Sequence, residues 1–139
     1  MSVDLSALQD AAGALLAAAI DASPATALAD VTAVLGATDP DADYPYLMVG
    51  EDIATDASTQ CVDGSSVVMS IHNWTKEAGF TQSKKIDAAV NDLFDDNKFA
   101  VPGHLIISCF YRTSRFIRDP ARGIRHGITE FDVDIEVSV

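Results

Sequence analysis

The side chains best suited to nucleophilic or metal chemistry are widely separated in this chain of 139 residues. His104 and Cys109 come closest together, but an odd spacing of five on one predicted strand sends side chains to opposite faces. The remaining histidines and cysteine stand alone, without an HxH, HxxxH or CxxC pattern: His72, His126 and Cys61. Because catalysis and zinc binding need converging side chains, we predict reduced thiols and no zinc site.

Two sets of carboxylates could suit a hard cation. One alternates along the last predicted strand: Asp132, Asp134 and Glu136. A solvent-exposed polar face explains this alternation without a ligand. The other set resembles the start of a calcium loop: Asp39, Asp41 and Asp43. It lacks the glycine and glutamate that such a loop needs further on. With no phosphate loop and no GxSxG motif, we expect no metal, no cofactor and no enzymatic activity.

An arginine cluster is the strongest candidate site. Its members are Arg112, Arg115, Arg118, Arg122 and Arg125, five guanidinium groups within fourteen residues around a predicted hairpin. Two interpretations have equal weight. The arginines either form salt bridges within the sheet, to residues such as Asp119, Asp132 and Asp134, or they form a self-association or partner surface, where arginine is enriched. Contact with DNA ranks third because the protein is strongly acidic.

The N-terminal half carries much of the acidic charge. The net charge is −12, and the first 75 residues hold eleven acidic residues and no Lys or Arg. Duplex affinity depends on basic groups that displace counterions from phosphates, so this half should repel DNA. The simplest interpretation is a solvated face that keeps the protein soluble, and the excess of Asp over Glu also fits a salt-adapted host.

The hydrophobic periodicity predicts one domain over residues 1–139 with an α+β fold. Helices are predicted at Ser2–Ala22 and Thr81–Asp96, with a short second helix between Ser23 and Gly36. Strands are predicted at Tyr44–Glu51, Ser66–Trp74, Leu105–Phe116 and Phe131–Val139, and a long loop or flexible hairpin connection at Asp52–Ser65. We therefore expect an antiparallel sheet of about four strands with two to three helices on one face. The alanine-rich run from Ala11 to Ile20 is too short to span a bilayer.

Several segments, taken in order, carry a family resemblance. They are the N-terminal helices ending at Leu35-Gly36, the strand Pro45–Gly50, the Ile71–Trp74 unit before Gly79-Phe80, the helix Ile86–Phe94, the strand Arg112–Arg118, the turn Asp119–Gly123, and a closing strand with Gly127 and Phe131. In this order the chain resembles the tail-terminator, or tail-completion, proteins of long-tailed phages and gene-transfer particles. It departs from that pattern in the polar insert Ala54–Ser65 and in its acidity.

The resemblance implies a virion structural protein, made in the host cytoplasm and located in the tail at the head–tail interface. Such a protein forms a ring, typically of six copies, that caps the tail tube and joins the tail to the head connector. Its partners would be its own copies, the tail tube protein and connector or adaptor proteins. DNA would pass through the lumen without specific binding, and no membrane is involved.

Three alternatives remain open at the level of the sequence. The first is another head–tail joining protein, such as a neck or adaptor subunit. The second is a small ligand-binding or enzymatic α+β domain, which would need a deep pocket with converging polar groups. The third is a regulatory or toxin-neutralising module that uses its acidic surface to mimic DNA.

Overall fold

The computed structural model describes residues 2–22, 28, 31–36 and 43–138. The elements in chain order are α1 (Leu5–Ala22), β1 (Val34–Leu35), β2 (Tyr46–Val49), β3 (Ile53–Asp56), β4 (Gly64–Lys76), α2 (Thr81–Phe94), β5 (His104–Arg118) and β6 (Ile124–Val137). A largely antiparallel sheet with helices on one side confirms the predicted α+β class. Within the described residues the sheet has six strands, so the expected number of about four was too low.

The sheet is built around the long strands β4 and β6. The strand order is β1-β2-β4-β6-β5, and β3 also pairs with β4, beside the stretch that β2 leaves free. Strand β4 pairs with β6 from Gly64 opposite Glu136 to Lys76 opposite Ile124. Only β1 and β2 run parallel to each other. Strand β5 therefore lies at one edge of the sheet and pairs along its length with β6.

The two faces of the sheet differ because side chains alternate along each strand. In β6, Phe131, Val133 and Ile135 are buried, whereas Asp132 and Asp134 are exposed, as the alternation of the sequence predicts. The buried set faces both helices, and we call this side the helix face. The other side, which carries Asp132 and Asp134, is called the open face.

Helix α1 packs on the helix face at the β1–β2 side of the sheet. Its residues Leu8, Ala12 and Leu16 recur at a spacing of four and are fully buried, which confirms the predicted stripe. With 18 residues and a mean hydropathy of 1.2, α1 is also long and apolar enough to cross a membrane by length and composition. One face of α1, with Leu8, Ala12 and Leu16, packs against the hydrophobic core.

Helix α2 lies across β4, β5 and β6, and polar contacts fix its position. The Glu77 carboxylate accepts hydrogen bonds from the backbone N–H groups of Gln82 and Ser83, both at 3.0 Å, and so satisfies donors that a first helical turn leaves unpaired. Ser83 Oγ donates to Asn73 Oδ1 at 2.6 Å. One turn further on, the Asp87 carboxylate accepts hydroxyl bonds from β5 and β6, from Ser114 at 2.7 Å and Thr129 at 2.5 Å.

Two predicted segments differ in the structure. Val34 and Leu35, predicted to end a short helix, form β1 beside Leu47 and Met48; residues 23–27, 29 and 30 of that helix lie outside the described residues. Pairing with β2 overrides the local periodicity, with Leu47 N donating to Ala33 O at 2.9 Å. The predicted loop Asp52–Ser65 contains β3, which pairs with β4. Its four residues are all exposed, so no apolar alternation marked it as a strand.

Two other boundaries also differ. Strand β6 begins at Ile124, whereas the alternating pattern predicted a start at Phe131. Its first half lies under α2 and contains the polar contacts of that helix, so its sequence has no simple alternation of apolar and polar residues. Strand β4 likewise extends from Gly64 to Lys76, beyond the predicted Ser66–Trp74.

Gly127 provides a test of the close packing between α2 and the sheet. A Cβ at this position would lie 2.6 Å from Ser83 Oγ and 2.8 Å from Asn73 Oδ1, inside a buried, hydrogen-bonded pair. Gly127→Ala should therefore lower the free energy of unfolding by about 1–3 kcal/mol, measured by urea denaturation. Gly13→Ala is the control, because nothing lies within 4 Å of its Cβ and alanine favours a helix. A Gly127→Ala chain as stable as the unmodified one would contradict this packing.

Candidate interaction surface

The β5–β6 hairpin ends in a tight turn at Asp119–Gly123, as predicted. Asp119 Oδ1 accepts a hydrogen bond from Ala121 N at 2.8 Å, and Asp119 N donates to Ile124 O at 3.1 Å. Gly123 has φ +79°, in the left-handed region that glycine adopts without strain. The turn closes the two long strands at one end of the sheet and brings their arginines together there.

Arg112 and Arg115 lie on the open face and form cross-strand ion pairs with β6. Arg112 Nη1 is 3.1 Å from Asp132 Oδ1, a partner that the sequence suggested. Arg115 Nε is 4.0 Å from Glu130 Oε1. The arginine side chains are 50% and 61% exposed. Because exposed pairs contribute only about 0–1 kcal/mol, these guanidinium groups can still bind a partner.

Arg118 and Arg122 are exposed at the end of the hairpin. The Arg118 guanidinium lies 5.6 Å from the centre of the Phe80 ring, a cation–π contact that orients it. Arg122 is part of the turn itself. Among the described residues, no carboxylate forms an ion pair with either side chain. The interpretation of the cluster as intramolecular salt bridges therefore fits Arg112 and Arg115 but not Arg118 and Arg122.

Arg125 differs from the other arginines because it is only 7% exposed. Its guanidinium donates to Ala78 O at 2.6 Å and to Ile124 O at 3.2 Å, and it lies 5.4 Å from the centre of the Phe80 ring. These contacts connect the hairpin to the segment before α2. The four exposed members of the cluster form what we call the arginine surface: Arg112, Arg115, Arg118 and Arg122.

The structure brings together two histidines that the sequence left isolated. His72 Nδ1 and His126 Nε2 are 2.6 Å apart on the open face, and the His126 ring stacks on Trp74 with ring centres 3.7 Å apart. Burial lowers the pKa of both, that of His126 to about 4 with help from neighbouring His72. The pair arises because β4 places His72 and Trp74 beside β6, and this register was not readable from the sequence.

The remaining candidates for chemistry do not converge. A β-bulge near Ile106 places His104 and Cys109 opposite Val137 and Val133, hence on the same face, so their predicted opposite orientation was wrong. The two β6 partners are four residues apart, about 13 Å along a strand. Burial, assisted by nearby Asp95, raises the pKa of the Cys109 thiol to about 12, so the thiol stays protonated at neutral pH.

The acidic residues considered for a cation do not form a metal site either. Asp132 and Asp134 are exposed on the open face, and Asp134 accepts a 3.2 Å hydrogen bond from Ser108. The described part of the chain has no group of three or more His, Cys, Asp or Glu side chains that could hold a metal ion. Asp39 and Asp41 lie outside the described residues.

The structure thus presents four exposed guanidinium groups on one hairpin, and the described residues include no group of side chains that could hold a metal ion. The family model for tail completion protein gp17 matches residues 13–136. The chain belongs to this family and is a structural protein of the virion tail, not an enzyme. This confirms the family resemblance seen in the sequence.

A solved structure supports the same assignment. The chain is similar to a chain in a structure titled "Virion of native gene transfer agent (GTA) particle", with a TM-score of 0.82 and 26% sequence identity. The alignment covers 95% of this chain and 96% of that chain. A comparison with curated proteins gave no match.

The histidine pair predicts how stability depends on pH. Burial keeps the His126 imidazole neutral in the folded protein down to about pH 4, whereas the unfolded chain takes up a proton near its ordinary pKa of 6.5. The unfolded state therefore binds more protons between these values, and stability rises with pH across that window and is fully present above pH 6.5. We expect the melting temperature to fall by about 3 °C or more between pH 7 and pH 5.

A variant separates this effect from the titration of other groups. His126→Gln keeps a hydrogen-bonding side chain beside His72 but cannot be protonated, so its melting temperature should fall less over the same range. Ser138→Gln is the control and should keep the pH dependence of the unmodified chain, because it introduces the same side chain at an exposed position beyond the far end of β6. Equal pH dependence in all three proteins would show that the pair does not titrate as described.

Proposed function

We propose that this chain forms a ring, of six copies, that caps the tail tube and joins the tail to the head connector. The observation that carries the proposal is the arginine surface, four exposed guanidinium groups around the end of a long hairpin on a subunit of net charge −12. Arginine is enriched at protein interfaces because its planar group forms paired hydrogen bonds with carboxylates. The likeness to a chain of a gene transfer agent virion supports a position within a particle.

The size of the subunit is compatible with a ring around DNA. A chain of 139 residues has a radius of gyration of about 14 Å and so a diameter of roughly 37 Å if treated as a sphere. Six such spheres in contact enclose an opening of roughly 37 Å, through which a DNA duplex can pass. The partners of the ring are the tail tube protein on one side and connector or adaptor proteins on the other.

The charge distribution also fits DNA that passes without specific binding. The excess of acidic residues repels phosphates, and the arginines lie close together in the sequence and around one hairpin. In this arrangement the arginine surface contacts protein carboxylates, of a neighbouring copy or of the tube, rather than phosphates.

A second candidate is another head–tail joining role, as a neck or adaptor subunit, which would place the same surface elsewhere in the particle. The ligand-binding alternative has less support. An open cavity of about 500 Å³ beside α1 is lined mainly by apolar side chains, including Leu15 and Phe99, with Asp10 the charged residue in its lining. Ligand sites combine apolar walls with several converging polar groups, and this cavity does not.

The ring is tested by mass in solution, using light scattering and native mass spectrometry, and by imaging of assembled particles. We expect a closed oligomer of about six copies at one end of the tail tube. A strict monomer in both settings would exclude a ring. A closed oligomer located in the neck rather than on the tube would favour the adaptor role.

The arginine surface is tested by charge reversal. Arg115→Glu combined with Arg118→Glu should weaken ring formation and tail joining by at least tenfold, because attractive contacts with carboxylates become repulsive. Lys85→Glu combined with Lys98→Glu is the matched control, since both lysines are exposed and the net charge changes equally. Intact rings and joined tails in the arginine variant would refute the assignment of this surface.

A further inference from the structure

The two ends of the β5–β6 hairpin carry opposite charges. The hairpin tip, residues 117–122, carries exposed Ile117, Arg118 and Arg122. The opposite half carries Asp132, Asp134 and Glu136 on β6, beside exposed apolar side chains on β5. We call this half the acidic half-face, and its apolar members are Leu105, Ile107 and Phe110. An exposed apolar patch bordered by polar residues is typical of an interaction site.

The composition of the acidic half-face indicates that it is normally covered. Leu105 and Phe110 are 56% and 50% exposed, on a strand at the edge of the sheet, where exposed apolar residues favour association. Arg112 forms an ion pair with Asp132, whereas the charges of Asp134 and Glu136, two residues and so about 7 Å apart, repel each other. A cationic partner with some apolar surface would relieve both features at once.

The hairpin tip has the matching chemistry but cannot reach this surface within one chain. Ile124 begins β6 at the tip, and Asp132 to Glu136 follow eight to twelve residues later, about 25–40 Å away along an extended strand. Paired strands are too stiff to fold back over that distance. The two complementary surfaces can therefore meet only between separate copies of the chain.

We propose that the acidic half-face of each copy binds the hairpin tip of the next copy. This deepens and rests on the proposed self-association. Arg118 and Arg122 then pair with Asp134 and Glu136 of the neighbour, while Ile117 contacts its exposed β5 side chains. A shallow cavity of about 240 Å³ that Ile107, Asp134 and Glu136 help to line offers carboxylates and an apolar wall, the surroundings that suit an arginine side chain.

The proposed contact is head-to-tail, because the two surfaces that meet are different. Contacts of this kind close into a ring when the rotation between copies allows it, and otherwise continue as a filament. A symmetric pair of hairpin tips would instead bring arginine against arginine, which like charge disfavours. Charge complementarity therefore favours a second copy of the chain as the partner, bound in the head-to-tail orientation.

The test uses two oppositely altered chains. In the face variant, Asp134→Lys and Glu136→Lys make the acidic half-face basic; in the tip variant, Arg118→Glu and Arg122→Glu make the tip acidic. Each variant alone should assemble at least tenfold more weakly than the unmodified chain, measured by native mass spectrometry. Mixed in equal amounts they should assemble again, because each altered surface then meets the other, and an even-numbered ring should contain alternating copies.

Controls exclude unfolding and general charge effects. Asp10→Lys with Asp21→Lys changes two exposed acidic residues of α1 and should leave assembly unchanged. Circular dichroism and the melting temperature show whether the face variant folds. If it does not, Asp134→Asn with Glu136→Gln replaces it and should weaken assembly by a smaller factor. The variants are also scored by the yield of particles with joined tails, so a chain that is monomeric in solution is still tested.

The outcomes distinguish this contact from the proposed ring itself. Suppose that the unmodified chain forms rings. If the face variant then forms rings equally well, or if the mixture of the two variants does not assemble, the head-to-tail contact is wrong but the proposed ring is not. If the unmodified chain is a monomer in solution and in particles, the proposed ring fails as well. If the tip variant fails to assemble whereas the face variant assembles fully, the hairpin tip binds a partner other than a second copy.

Discussion

The pairing of β4 with β6 over thirteen residues is the constraint on which the rest of the structure depends. It forms the centre of the sheet, with β2 and β3 added on one side and β5 on the other. Side chains alternate along both strands, so a slip of one residue would move Phe131 and Val133 to the open face and Asp132 to the core. The free energy of burying one face therefore also fixes where the charged residues of the other face lie.

The helix face and the open face have opposite physical roles. On the helix face, polar groups such as Asp87 are hydrogen-bonded to neighbouring strands, and the backbone at Gly127 approaches Asn73 and Ser83 closely. These contacts hold α2 in one position on the sheet. On the open face at β5, apolar and charged side chains are exposed without a covering layer. A subunit whose binding surface is already ordered can join an assembly at little entropic cost.

Much of this architecture was predictable, because the long elements carry strong periodicity. The spacing of Leu8, Ala12 and Leu16 gave α1, and the alternation after Phe131 gave the end of β6 and its acidic side. The short strands β1 and β3 were not predictable, since two to four residues with little apolar alternation become strands only through their neighbours. The helix predicted from Ser23 failed at Val34 for the same reason.

The candidate site was predictable in its residue types but not in its geometry. The cluster of five arginines is visible in the sequence, yet only the fold shows that Arg125 is buried under Phe80 whereas Arg118 and Arg122 are exposed. Arg118 and Arg125 are cross-strand neighbours on the same side of the sheet, but Arg118 lies on the edge strand β5 and Arg125 on the inner strand β6. The contact between His72 and His126 likewise depends on cross-strand neighbours that are 54 residues apart in the chain. Sequence patterns describe neighbours along the chain, whereas such pairs depend on long-range register.

The charge distribution connects solubility with directed assembly. Copies with net charge −12 repel each other at separations within a Debye length of about 8 Å at physiological salt, which disfavours random aggregation of the exposed apolar residues on β5. The repulsion is weakest in orientations that bring the arginines of one copy towards the carboxylates of another. A uniformly acidic surface would keep copies apart in every orientation, and a neutral one would let the apolar edge associate without direction. Concentrating the arginines around one hairpin therefore allows an acidic protein to remain soluble and still associate in one preferred orientation.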